Sequence, residues 1–305
     1  MKYFPFMCAP LFFILCITGC DSSKVSLPKS SFIGAAAIGD LISIDIEGDK
    51  FRFKGLVGKL DNINIEGKLR KAEGFERHVY ESPDMPGFTL VYTPDSVTYH
   101  ENGNEFGKYG VTVPKISTNY SATSIAGNYN YVSQYAGNML EHGTFTINPN
   151  NTWSLWIGVN GSNVDNSNAQ GTWEDKGLGY LLIKGTAKDD IDDNVAFNAH
   201  AMLNQNGVLV IDLVTNHGIA IGMKQQEIQP ISAKYDVISS GSSELELVTV
   251  NQKKAIIGEH TIPLDYNNPW TGFVSHDTNF MGVLSPSANT FFGFDKQGLF
   301  VAVKQ

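Results

Sequence analysis

Carboxylate side chains are the residues of this chain whose grouping most directly suggests chemistry. The stretch from Lys188 to Asn194 reads KDDIDDN, and Glu141 lies between two strand-like segments. Two carboxyl groups on a β scaffold can serve as the acid and base of glycoside hydrolysis. The same stretch could bind Ca²⁺, but an EF-hand loop starting at Asp190 requires glycine where Val195 stands and glutamate where Ala201 stands. We therefore interpret it as a solvated turn and predict no metal site.

Histidines and familiar motifs add no further reactive site. The chain has 7 histidines, scattered without the spacing of metal ligands. His200 alternates with an apolar face that runs from Val195 to Leu203, so we expect it to point away from the core in a surface role. Nucleophile elbows, zinc-protease helices, phosphate loops and Rossmann fingerprints do not occur in the sequence. The sequence thus predicts no catalytic residue and no cofactor.

Aromatic side chains are the candidate contacts for a ligand or a partner. The alternation of TWSLWIGV places Trp153, Leu155 and Ile157 on a core face and directs Trp156 outward or toward a neighbouring module. An exposed Trp156 could stack on a sugar ring or anchor a protein, and otherwise it covers a module interface. Three tyrosines share one face of a preceding segment, which is either core or contact surface: Tyr129, Tyr131 and Tyr135.

Cysteine usage indicates how the chain is processed. All 3 cysteines lie within the first twenty residues, and a run of about a dozen mostly apolar residues precedes Ile17-Thr18-Gly19-Cys20. This run is too short to span a bilayer as a helix. The four residues resemble the bacterial lipobox. The resemblance implies a signal peptide over 1–19, cleavage before Cys20, and acyl chains on the Cys20 sulfur and on its new amino group.

Lipidation would hold the protein on a membrane, because three acyl chains exceed what lasting attachment requires. Asp21 directly after the lipidated residue resembles the enterobacterial signal for retention in the inner membrane. We therefore expect a cell-envelope location facing the periplasm, with the outer membrane or cell surface as the alternative. Residues 20–30 should form a lipidated tether, since DSSKVSLPKS lacks hydrophobic periodicity. No second cysteine would remain for a disulfide.

The net charge of −9 excludes one class of partner. Affinity for nucleic acid comes from clustered lysine and arginine side chains that neutralise phosphates. We therefore expect an envelope protein or a glycan as partner, and no nucleic acid.

The elements that must position these residues are strands. From Ser31 onward no long segment has helical spacing, and two-residue alternation recurs, as in LISIDIEGDKFRFKG with its Gly48-Asp49 turn. Eight strand-like runs between Ile125 and Gln225 predict an up-and-down meander, either a closed barrel or an open sheet or sandwich. The openings GNY at Gly127 and GTW at Gly171 resemble the Gly-x-aromatic first strand of lipocalin-like barrels, which implies closure around side chains or one small ligand.

Internal similarity predicts three consecutive β modules. Three short sequence segments share a glycine, alternating apolar residues and a lysine: GVTVPK at Gly110, GIAIGMKQ at Gly218 and GLFVAVKQ at Gly298. The first two are followed by similar strand openings, at Ile125 and Ile231. We therefore predict an all-β chain of antiparallel modules over 31–118, 119–228 and 229–305.

Two functions remain open from the sequence. The first is a lipid-anchored, non-catalytic binding or assembly module of the cell envelope. The second is an envelope hydrolase of glycan or peptidoglycan that uses the acidic residues of 189–193 or Glu141. We favour the first, because a repeated scaffold without a reactive motif is typical of a binding protein.

Overall fold

The architecture consists of three antiparallel sheets in series. A computed structural model of the chain describes residues 25–73, 75, 78–103, 107–116, 118–134, 140–158, 167–188, 194–213, 218–239, 245–268, 270–276, 280–295 and 298–305. The prediction of an all-β chain of three modules is confirmed. A four-residue helix, α1 (Ala122–Ile125), precedes the second sheet.

Module 1 is a meander whose first and last strands pair with each other. Its strands are β1 (Leu27–Ala36), β2 (Asp40–Gly48), β3 (Lys50–Val57), β4 (Asn64–Lys68), β5 (Arg70–Lys71), β6 (Val79–Glu81), β7 (Phe88–Tyr92), β8 (Val97–Glu101) and β9 (Tyr109–Pro114). The predicted tether is too long, because β1 begins at Leu27 and pairs with β2 across a register shift between Leu27 and Ser30. Pro28 is tolerated at that irregularity, where ladder pairing is interrupted.

Module 2 is a closed eight-stranded barrel, as one of the two interpretations of the sequence predicted. Its strands are β10 (Gly127–Gln134), β11 (Leu140–Ile147), β12 (Thr152–Ile157), β13 (Ala169–Asp175), β14 (Leu181–Lys188), β15 (Asn194–Leu203), β16 (Val208–Leu213) and β17 (Gly218–Lys224). Closure comes from pairing of β10 with β17, for example Tyr131 opposite Gly222. Bulky side chains occupy the interior, including Trp153, Phe145 and Tyr131, each at most 1% exposed.

Module 3 repeats the strand order of module 1. Its strands are β18 (Ile231–Ser239), β19 (Leu245–Gln252), β20 (Lys254–Ile257), β21 (His260–Pro263), β22 (Asp265–Tyr266), β23 (Phe273–His276), β24 (Phe280–Leu284), β25 (Thr290–Asp295) and β26 (Gly298–Lys304). The three similar sequence segments at Gly110, Gly218 and Gly298 form the last strands of the modules, which are β9, β17 and β26. Each last strand pairs with the first strand of its own module.

One backbone hydrogen bond recurs in all three modules and aligns them. The acceptor is a backbone carbonyl in the turn between the second and third strands of the module. The donor is a backbone N–H, either within the fourth strand, as in module 2, or directly after it, as in modules 1 and 3. The pairs are Leu69 to Asp49 at 2.7 Å, Trp173 to Asn151 at 2.9 Å, and Leu264 to Lys253 at 2.7 Å. In modules 1 and 3 the donor residue lies between two short strands. The pair β4 and β5 of module 1, and the pair β21 and β22 of module 3, therefore correspond to the single strand β13 of module 2.

Volumes in the barrel interiors compensate between equivalent positions. Phe51 of module 1 lies opposite Gly67, and a Cβ on Gly67 would come within 2.6 Å of the Phe51 ring. Module 3 reverses the sizes, with Ala255 opposite Ile262. A large side chain on the third strand thus requires a small one on the fourth, as close packing demands.

A shared apolar core joins the three modules. It is formed by outward-facing side chains of the closing strands and their neighbours, such as Val111 and Val113 of module 1, Val210 and Ile221 of module 2, and Val301 of module 3. These five side chains are at most 3% exposed. The modules therefore pack as one body, whose remaining exposed faces are the outer surfaces of each barrel away from this core.

Candidate interaction surface

Equivalent outward rows cross the first four strands of each module. The register places one residue of each strand side by side in these rows: Ser31, Asp45, Arg52 and Glu66 in module 1; Asn128, Thr146, Ser154 and Gln170 in module 2; Lys234, Thr249, Ile256 and Thr261 in module 3. Because the rows hold the same position in each module, their residues can be compared one by one.

The rows of modules 1 and 2 carry polar side chains with partners inside the row. The Ser31 hydroxyl donates to the Asp45 carboxylate, and Arg52 Nε donates to Glu66 Oε1 at 2.6 Å. In module 2, Thr146 Oγ1 donates to Asn128 Oδ1 at 2.7 Å. These cross-strand pairs satisfy polar groups of both rows, but the buried Ser154 hydroxyl of the module 2 row has no hydrogen-bond partner among the described residues.

The row of module 3 is apolar at its centre and is exposed. Ile256 is 37% exposed, and Leu247, on the same face of the neighbouring strand, is 47% exposed. Large exposed aliphatic side chains close together are typical of interaction sites. We name this surface the module 3 face and define it by six residues: Lys234, Leu247, Thr249, Lys254, Ile256 and Thr261.

Tyr129 and Tyr131, predicted as candidate contacts, both face the interior of the module 2 barrel. They are 2% and 0% exposed. The Tyr129 hydroxyl donates to the Ile125 carbonyl at 2.7 Å, and the Tyr131 hydroxyl donates to Glu141 Oε1 at 2.8 Å. Burial raises the pKa of Tyr129. Both therefore belong to the core, which was the second interpretation of their stripe, and Tyr135 lies outside the described residues.

Of the two orientations expected for Trp156, the one open to solvent is not observed. Trp156 alternates with Trp153 and Leu155, so it does lie on the opposite face, but it is only 4% exposed. Conversely, Ile157 is 43% exposed although we expected it in the core. The last pair of β12 with β13 joins Leu155 to Ala169, so Ile157 extends past the end of that ladder. Trp156 thus offers no open ring for stacking on a sugar.

His200 and Asp212 form a buried polar pair where module 1 packs on module 2. They lie opposite each other on β15 and β16, with His200 Nδ1 at 2.8 Å from Asp212 Oδ2. The Asp212 side chain is 0% exposed, and the edge of the Tyr180 ring contacts His200. Burial raises the pKa of the Asp212 carboxyl to about 6, while the His200 bond and charge lower it and the Asp40 charge of module 1 raises it. His200 thus points away from the core, as expected, but supports a module interface.

His142, on β11, lies where module 2 packs on module 3. Its ring lies 5.5 Å from Trp270 and 6.0 Å from both Phe273 and Phe294, centroid to centroid. Burial lowers the pKa of His142. A neutral imidazole therefore suits this apolar contact, since charging it there requires desolvation.

The candidate hydrolytic carboxylates are not brought together by any described contact. Glu141 accepts the Tyr131 hydrogen bond, whereas 189–193 lie outside the described residues. Within the described part of the chain, no three His, Cys, Asp or Glu side chains could together hold a metal ion. The polar pairs that the structure does show hold strands and modules together.

The anchor residues Cys20 and Asp21 also lie outside the described residues. None of the helical segments that the structure describes has the length and apolarity needed to cross a membrane.

The inter-module core was missed from the sequence although a signal for it exists. The runs VLVIDL of β16 and GIAIGM of β17 are continuously buried rather than alternating. Strands buried on both faces have such uninterrupted apolar runs. The module 3 face has a weaker signal, because Leu247 and Ile256 are aliphatic on strands whose inner face is already apolar.

Comparisons with known proteins do not assign the chain to a family. No family model and no curated protein matches it. A structure of KlHsv2 with loop 6CD replaced by a Gly-Ser linker is 11% identical, with 87% of this chain and 81% of that chain covered at a TM-score of 0.18. Kluyveromyces lactis Hsv2 with complete loop 6CD is 10% identical, with 90% and 98% covered at 0.14. The DNA polymerase sliding clamp from Pseudomonas aeruginosa is 8% identical, with 93% and 94% covered at 0.13. TM-scores this low carry no argument about fold or function.

Proposed function

We propose that this protein is a lipid-anchored cell-envelope protein that acts as a non-catalytic binding or assembly module through the module 3 face. The observation that carries the proposal is the contrast between equivalent rows. Arg52 and Glu66 pair with each other on module 1, whereas Ile256 and Thr261 leave an exposed apolar centre on module 3. A partner that covers this centre would remove it from water, which is favourable.

Membrane attachment through acyl chains on Cys20 is part of the same proposal. The lipobox supports it, and Asp21 favours the periplasmic side of the inner membrane over the outer membrane. A rigid three-module body on a short tether would then present the module 3 face to a neighbouring envelope component. The hydrolase alternative stays a prediction of the sequence, because no contact in the described structure favours it.

Site-specific crosslinking in intact cells tests the interaction function. A photoreactive amino acid replaces Ile256, and in a matched control it replaces Arg52 at the equivalent position of module 1. We expect one defined adduct from position 256 and none from position 52. Equal adducts from both positions, or none from either, would show that the module 3 face is not the contact site.

Fractionation tests the anchor separately. The Cys20→Ser variant should move from the membrane fraction to the soluble periplasmic fraction, because loss of the acyl chains removes the attachment. Because Cys20 also directs cleavage, the variant is expressed behind a cleavable secretory signal; if it then stays in the membrane fraction, lipid anchoring is refuted while the crosslinking result stands.

A further inference from the structure

We propose that the module 3 face binds an acidic protein segment that carries an aliphatic side chain between two carboxylates. This inference rests on the proposed interaction function and specifies its partner.

The two lysines are exposed and have no ion-pair partner among the described residues. Lys234 lies beside Thr249, and Lys254 lies beside Asn251 on the next row. On module 1, Lys29 contacts Glu47 at 3.2 Å and Arg52 pairs with Glu66, although Lys50, at the position equivalent to Lys254, also has no ion pair among the described residues. Two unneutralised ammonium groups on the exposed face of an otherwise acidic chain favour a partner with carboxylates.

The spacing of these lysines defines the segment they would recognise. They lie two strands and two residues apart, which corresponds to about 12 Å at about 4.8 Å per strand and about 3.4 Å per residue. Carboxylates four residues apart on one face of an extended segment are separated by about 14 Å. The flexible lysine stems accommodate the difference, so the motif is acid-x-aliphatic-x-acid.

The aliphatic residue of that motif, midway between the two lysines, would lie about 6 Å from Ile256 by strand geometry, with Leu247 extending the apolar surface beyond it. These two side chains are diagonal neighbours on β20 and β19, about 8 Å apart by strand geometry. None of the six residues of the face is aromatic, so it lacks the ring surface that stacks on sugars. The face therefore favours a polypeptide over a glycan.

A membrane surface and a nucleic acid both fit less well. Recognition of anionic lipid typically uses clusters of about four to eight lysines and arginines. The face contributes Lys234 and Lys254, with Lys253 on the adjoining turn, and the chain as a whole has a net charge of −9. Long-range repulsion would oppose binding to any extended polyanion.

The segment should lie across the face rather than extend the sheet. The edge strand β21 has only four residues and ends in Pro263, which has no N–H to donate. Short edges that contain proline resist strand addition. Side-chain contacts on the face would therefore dominate recognition.

Synthetic peptides test the inference directly. The probe is a peptide with glutamate, leucine and glutamate at alternate positions of an extended sequence. A lysine-leucine-lysine counterpart and vesicles of phosphatidylglycerol with phosphatidylcholine serve as the competing ligands. Binding to the full chain with Cys20→Ser is measured by titration at low and high salt. We expect binding of the acidic peptide that weakens with salt, and weaker binding of both competing ligands.

A row exchange provides the decisive variant. Thr249→Asp, Ile256→Arg and Thr261→Glu together give the last three positions of the module 3 row the residues of the module 1 row, which the same register already supports, and leave Lys234 in place. We expect the acidic peptide to lose about tenfold or more in affinity, with an unchanged circular dichroism spectrum. The double variant Lys234→Glu with Lys254→Glu should lose a similar factor and leaves the aliphatic pair intact, so it separates charge loss from misfolding.

Three results would overturn the inference: no binding of the acidic peptide, equal binding by the row-exchange variant, or a preference for the lysine peptide or the vesicles. A position-256 adduct in cells without peptide binding would refute the partner chemistry and leave the proposed function standing. Peptide binding without an adduct in cells would refute the proposed function instead.

Discussion

Replacing Asp212 with asparagine should remove a pH-dependent part of the free energy of unfolding. The carboxyl has an ordinary pKa of 3.8, which burial raises to about 6 in the folded protein. Each pKa unit corresponds to about 1.4 kcal/mol, so this group contributes a difference of about 3 kcal/mol. The Asp212 side chain is 0% exposed, so solvent screening does not reduce this value.

The sign follows from which state binds the proton more tightly. Because the folded state has the higher pKa, the contribution of Asp212 to stability is complete below about pH 4 and is lost as the pH rises through about 6. The asparagine side chain of the variant would stay neutral throughout, and its amide oxygen could still accept a hydrogen bond from His200. The variant should therefore gain about 3 kcal/mol relative to the unmodified protein between about pH 4 and pH 7.

Urea denaturation at several pH values measures this difference. The matched control is Asp265→Asn, at an exposed aspartate of module 3. We expect the difference in free energy of unfolding between the protein and Asp212→Asn to change by about 3 kcal/mol between about pH 4 and pH 7, and Asp265→Asn serves as the reference substitution. A pH-independent difference for Asp212→Asn would refute the claim that the carboxylate is held in a desolvated site between modules 1 and 2.

Further substitutions test the second interface, the barrel core and the linker between modules 2 and 3. Burial lowers the pKa of His142. The contribution of its neutral ring to the free energy of unfolding should therefore be complete above about pH 6.5 and be lost as the pH falls. His142→Phe should lack this loss in acid titrations, and the exposed control His260→Phe should retain it. Trp153→Ala should cost about 3–5 kcal/mol by urea denaturation, and a cost near zero would contradict a filled barrel. The Asn267 side chain accepts a hydrogen bond from the Ile228 N–H at 2.9 Å and donates one to the Ile228 carbonyl at 2.8 Å. Asn267→Ala should lower the free energy of unfolding by about 2 kcal/mol. An unchanged Tm would contradict a linker held by these two bonds.

Strands and turns were predictable because they depend on local pattern. The alternation of Ile42, Ile44 and Ile46 with Ser43 and Asp45 predicted one buried face, and all three isoleucines are at most 1% exposed. The eight runs between Ile125 and Gln225 correspond to β10 to β17, since the side-chain period of a strand is set by its backbone.

The candidate site was much less predictable, because exposure of an outer face depends on distant parts of the chain. Trp156 and Ile256 both lie on outer faces as the penultimate residue of the third strand of their module, yet one is 4% and the other 37% exposed. Their local sequences do not distinguish them. Likewise, alternation places His200 opposite the core, but its contact with Asp212 depends on how β15 pairs with β16.

The sequence by itself determined the fold class, the repeated strand segments at Gly110, Gly218 and Gly298, and the alternation that separates the two faces of each strand. Only the tertiary structure decided that outer faces of the three modules share a core, and that the equivalent rows form a paired polar surface on module 1 and an exposed aliphatic one on module 3. The physical reason is range. Backbone geometry imposes the two-residue period within a strand, whereas burial of an outer face requires apolar surfaces from modules about a hundred residues apart to meet.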